Sequence, residues 1–138
     1  MRLDVANGTL ALDDGSTVGA ATTAAELRAR GFEHEGYSNG WSWERGRTGD
    51  WWVSVSFDPD ERASMVQLER DDGGPRGWDH WSEARELARR AVHDAWLDEQ
   101  LGDAWRDDVF AWGAVGSHYD ERSGGSSITI RYPAIDAR

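Results

Sequence analysis

The residues best equipped for chemistry are Glu86, Arg90, His93 and Asp94, with Tyr119 further along the chain. A carboxylate, an imidazole and a phenol in one cleft could pass protons, while a guanidinium held an anionic group. The same spacing also permits a plainer arrangement. On a helix Glu86 reaches Arg90 at i+4, and Arg89 reaches His93 in the same way. The set then reads as a solvated face laced with weak ion pairs, and this is the preferred reading. Glu86, Arg90, His93 and Tyr119 stand as the alternative catalytic set.

Other chemistries lack the spacing they need. None of the four histidines, His34, His80, His93 and His118, belongs to a His-x-x-x-His or Glu-x-x-His pair. No metal site or cofactor is therefore expected. Ser117 and His118 are neighbours in sequence, but adjacent strand residues point to opposite faces, so they make a poor nucleophile and base. Ser123-Gly124-Gly125-Ser126-Ser127 could offer backbone N–H groups to an anion. It leads into a strand rather than a helix, however, and Asp120 and Glu121 beside it would repel the ligand. Paired acids abound: Asp71-Asp72, Asp107-Asp108 and Asp120-Glu121 among them. Most fall in turns, where Asp is expected. As a set they could form an acidic surface that mimics a phosphate backbone.

The element that must position the chemistry runs from Asp79 to Gly102, with no Gly or Pro before its end. Trp81, Ala84, Leu87, Ala88, Ala91, Val92, Ala95 and Trp96 recur at helical spacing and predict one apolar stripe against a sheet. Glu86, Arg89, Arg90 and His93 then face the other way. Asp79 or Ser82 can cap the start, and Gly102 marks the end.

Around that helix the chain reads as strands. Leu3 to Leu12 predicts a first strand, interrupted by Asn7-Gly8. Thr23-Ala24-Ala25-Glu26 fits a capping box for a short helix, which Gly31 stops so that Phe32 can fold back on Leu27. Tyr37–Arg45 and Trp51–Phe57 alternate about a loop at 46–50, and Ala63–Arg70 follows as a further strand. His34, between Glu33 and Glu35, reads as loop. Val109–Tyr119 and Ser127–Tyr132 predict a closing hairpin. The expected fold is one α+β domain over residues 1–138. It has a twisted, mainly antiparallel sheet of five to seven strands, with one short and one long helix packed on one face.

Composition narrows the function. The net charge is -11, which repels nucleic acid and anionic membranes but would draw in a basic protein partner. There are no cysteines, which suits a reducing cytoplasm. No stretch is apolar enough to span a bilayer and no apolar leader opens the chain. Nine tryptophans are a surplus for this length. Most are expected in the core, and any left exposed would anchor an interface.

The second half carries a resemblance. Trp81-Ser82, Glu86, Arg90, His93-Asp94, Trp96-Leu97 and Leu101-Gly102 form one pattern. Phe110, Trp112-Gly113, Val115, Ser117, Tyr119-Asp120, Arg122 to Ile128, Ile130 and Tyr132 form another. Together they resemble a group of small, largely uncharacterised bacterial proteins, which brings no catalytic residue with it. In size, charge and α+β build the chain is also similar to the acidic immunity proteins that accompany bacterial toxins. That resemblance implies a cytoplasmic protein that neutralises a basic toxin domain by contact. Its expected contacts are Asp71, Asp72, Asp107, Asp108, Asp120 and Glu121, with Trp41 or Trp52 as an aromatic anchor.

Overall fold

The computed structural model describes residues 1–107 and 109–133, save the side chain of Asp107. Five long strands build most of a larger sheet: β5 (Ser42–Thr48), β6 (Trp51–Phe57), β7 (Ala63–Arg70), β8 (Ala114–Asp120) and β9 (Gly125–Arg131). With β4 (Glu33–Gly36) they form six antiparallel strands in the order β4-β5-β6-β7-β9-β8. A smaller antiparallel sheet joins β1 (Arg2–Leu3), β2 (Leu10–Ala11) and β3 (Thr17–Val18). The predicted first strand is thus a hairpin, because Asp4, Asn7 and Gly8 close a turn on each other's backbone.

Strand register decides what the large sheet buries. Glu44, Gly46 and Thr48 lie opposite Val55, Val53 and Trp51, and Val55 and Val53 lie opposite Val66 and Leu68. Val66 and Leu68 in turn lie opposite Ile130 and Ile128. These residues share one face, and most are fully buried. Helices α1 (Ala24–Ala29) and α2 (Glu83–Leu101) both cover that face. The small sheet closes it beside them, adding Leu3, Leu10 and Val18 to the same core. The other face carries Trp43, Arg45, Arg47, Trp52, Ser54 and Gln67, none of them fully buried.

Helix α1 begins as predicted, with Thr23 Oγ1 accepting from the Glu26 N–H at 3.2 Å. Glu26 does not return the bond and lies 3.6 Å from Arg30 instead. Gly31 ends the helix at φ +93° and Phe32 turns inward. There its ring covers Gly46, where a Cβ would stand 2.7 Å from it. Strand β5 therefore runs on through Gly46 to Thr48, and only Gly49 and Asp50 form the turn that was expected over 46–50. His34, expected in a loop, lies in β4 opposite Glu44, and its Nδ1 is 2.5 Å from the buried Glu44 carboxylate.

The long helix inverts the expectation. Ser82 caps it, accepting from the Arg85 N–H at 3.1 Å. Its buried residues are Glu86, His93, Leu97 and Leu101. Ala84, Leu87, Ala88, Ala91, Val92 and Ala95, predicted to meet the sheet, face solvent. The reason lies in the sheet. Strands β7 and β9 stop pairing beyond Leu68 and Ile128. Past that point the Arg70 and Ser126 N–H groups donate to His93 Nε2 and Glu86 Oε2, both at 3.0 Å. Positions 86 and 93 are two turns apart on one helix face, so a single helix seals both N–H groups. An unpaired buried N–H costs about 1–3 kcal/mol, comparable to burying an aliphatic side chain and more than burying a single alanine.

The tryptophans are also less buried than their number suggests. Trp51 and Trp105 are core, whereas Trp41, Trp78 and Trp81 are exposed.

Candidate functional site

Where β7 and β9 part, a cleft of about 210 Å³ opens at the start of α2. It begins with the loop after β7. There the Asp71 and Asp72 carboxylates accept from the N–H groups of Gly73 and Gly74 at 2.9 and 3.0 Å, each making a tight local turn. The turn presents Asp72 to Arg85, which grips it bidentately at 2.6 and 2.7 Å. The other end of the same guanidinium donates to the Pro75 and His80 carbonyls. The hydrogen bonds from Arg85 hold the Asp72 carboxyl far below the usual carboxylate range.

Arg89 forms the floor. It pairs with Glu86 and reaches Asp72 at 3.4 Å and Glu69 at 3.7 Å. Glu86 is held twice by β9, since its backbone carbonyl also accepts from Ser126 Oγ at 2.7 Å. Trp78 and Trp81 stand at the mouth, ring centroids 6.2 Å apart. Trp81 is anchored by donating from Nε1 to the Gly124 carbonyl at 2.6 Å. Trp78 is 74% exposed, the most open of the exposed tryptophans.

His93 lies deeper and is fully buried, its ring stacked on Trp51 at 5.6 Å. Burial first, and then the charge of Arg89, pushes its pKa down to about 4. It is neutral near pH 7, and because Nε2 accepts from Arg70, the proton lies on Nδ1. With one nitrogen committed to backbone and the other sealed from water, the ring has no free position for proton transfer.

The cleft thus gathers Asp71, Asp72 and Glu86, and Ser123 brings the Asp120–Gly124 turn to its edge. Arg90 is exposed and makes no ion pair among the described residues; Glu86 takes Arg89 at i+3 instead. Tyr119 is half-buried. Desolvation, then Glu83 and Glu121, raise its pKa, so it stays a neutral phenol. Asp71 is tied to Arg47 at 2.6 Å, and Asp120 accepts from the Arg122 N–H at 2.9 Å. Glu121 is exposed on the same turn. Trp41 is 39% exposed beside Pro133, away from the cleft. Trp52 is half-buried on the open sheet face, with Arg45, Arg47 and Arg76 around its ring at 5.0–5.2 Å. Asp108 and the Asp107 side chain fall outside the described residues. Sequence reasoning passed over Arg85, Trp78 and Glu69. Arg85 and Asp72 had no local signal, because their pairing depends on how the loop folds.

No family model matches the chain, and no curated protein sequence does. Among solved structures, the chain is similar to one in "Rhs1-CT in complex with cognate immunity protein RhsI1", with a TM-score of 0.62. The identity is 22%, and the alignment covers 100% of this chain and 90% of that one. The two share a fold.

Proposed function

We propose that this chain is an immunity-type binding protein that neutralises a bacterial toxin domain by direct contact in the cytoplasm. The observation that carries this reading is the fold shared, over the full length, with a chain from a complex of Rhs1-CT and its cognate immunity protein. The acidic balance suits a basic partner, and nucleic acid or a membrane would be a poor one. No described helix is long and apolar enough to cross a bilayer. Asp71, Asp72, Asp107, Asp108, Asp120 and Glu121 are the proposed acidic contacts, with Trp41 or Trp52 as anchors and Trp78 a more exposed one. The test is co-purification with the products of the genes flanking its own, together with growth rescue when the toxic one is expressed. Failure to bind or protect against either product overturns the reading.

A second reading is favoured by one observation. Arg89 lines the cleft with its side chain 9% exposed, and its Nε has no partner among the described residues. A small anionic ligand could use that donor, with Arg85, Trp78 and Trp81 around it; of the alternative catalytic set only Glu86 lines this cleft. Calorimetry with small carboxylates and inorganic phosphate tests this. Binding that is lost in Arg89→Lys supports it, and the absence of any heat counts against it.

A further inference from the structure

The inverted helix leaves a surface unexplained. Along the outward sector of α2, Ala84, Leu87, Ala88, Ala91, Val92 and Ala95 present no charge at all. Leu87 and Val92 are each 44% exposed. The ridge from Ala84 to Ala95 is about 16 Å long at the usual helical rise. A solvated helix face ordinarily carries Glu, Lys and Arg, yet here Glu86 and Arg89 are turned inward. From the geometry we infer that this ridge is where the protein partner docks. The partner surface it fits has an apolar centre flanked by lysine or arginine. The inference rests on the immunity reading and names the face that does the work.

Charge complementarity selects that occupant. Glu83 lies at the start of α2 and Asp94 and Glu99 near its end, with Arg90 the main exposed cation between, while Asp98 is already taken by Arg106 at 2.9 Å. The last turn of α2 contains no basic residue. Glu99, exposed and without an ion pair among the described residues, opposes the helix dipole at that end and costs the isolated chain stability. A basic partner would relieve that cost. A second copy would not. Antiparallel pairing of two ridges sets Glu83 of one copy against Glu99 of the other, and parallel pairing sets each acid against itself. The ridge is therefore built against self-association.

The experiment uses the full chain and, as probes, the two flanking gene products. Ala91→Arg and Leu87→Asp should each weaken binding on the order of 100-fold, as for a residue at the centre of an interface. Their melting curves should match the unaltered chain. Glu99→Lys should slow association on the order of tenfold while leaving dissociation nearly unchanged. If the unaltered chain binds and the ridge variants bind equally well, this inference falls while the immunity reading stands. If the unaltered chain binds neither product, both fall. Unfolding of Ala91→Arg would overturn the inference, because an open ridge tolerates arginine. So would concentration-dependent dimerisation of the unaltered chain, abolished by Ala91→Arg, which would make the occupant a second copy.

Discussion

Two polar side chains, Glu86 and His93, hold α2 to the sheet. Each accepts a backbone N–H that the β7–β9 ladder leaves open. Glu86→Ala removes the acceptor of the Ser126 N–H and the nearest carboxylate of Arg89, which keeps Asp72 and Glu69. The expected loss is about 1–3 kcal/mol, read from urea unfolding at pH 7. His93 sets an acid limit on stability. Its folded pKa of about 4 lies below the ordinary 6.5, so the unfolded chain binds the extra proton first. The contribution is whole above pH 6.5, shrinks as pH falls, and is gone near pH 4. Over that window it amounts to about 3 kcal/mol. His93→Met should be less stable at pH 7, having lost the Arg70 acceptor, but its unfolding midpoint should change less between pH 6.5 and 4. The acids of the turns do quieter work. Asp14, Asp58, Asp71, Asp72 and Asp120 each accept from a backbone N–H two residues on. That much was legible as turn chemistry. Their ion pairs with Arg47 and Arg85 were not, since those partners come from distant elements.

At the scale of elements, close packing decides where strands end. Gly46 lets Phe32 lie flat on β5, and this carries the strand through a glycine that looked like loop. Gly46→Val should force the ring aside and destabilise by about 1–3 kcal/mol, measured by thermal melting. The period of α2 was plain in the sequence, as was its end at Gly102, while its cap lay open between Asp79 and Ser82 until the structure placed it at Ser82. Its orientation was not. Periodicity reveals that two faces differ, and the apolar one is ordinarily taken to be inside. Here the stripe is mostly alanine, which gains little by burial, while the sheet offered unpaired donors to the polar side. Ala88→Glu should accordingly change stability by less than about 0.5 kcal/mol in the same melting assay.

For the molecule as a whole, charge and shape act on association more than on folding. A net charge of -11 favours rapid encounter with a basic partner. Association with such a partner should slow as sodium chloride rises from 0.05 to about 0.5 M, because the screening length shortens. Stopped-flow measurement checks this, and a salt-independent rate would show that the acids do not steer the encounter. Many of those acids are already paired within the chain, while Glu83 and Glu99 on α2 and Glu121 beside the cleft stay exposed.

The sequence by itself determined the types of the main elements, from the two helices to the central strands, together with the antiparallel pairing, the helix caps and the acid-built turns. Each of these follows from local periodicity or from side chains within a few residues of the backbone they cap. Only the tertiary structure decided which side of α2 is inside, that Asp72 meets Arg85, and that the N-terminal residues form a separate small sheet. Those outcomes depend on which backbone groups another part of the chain leaves unpaired, and no local pattern encodes that.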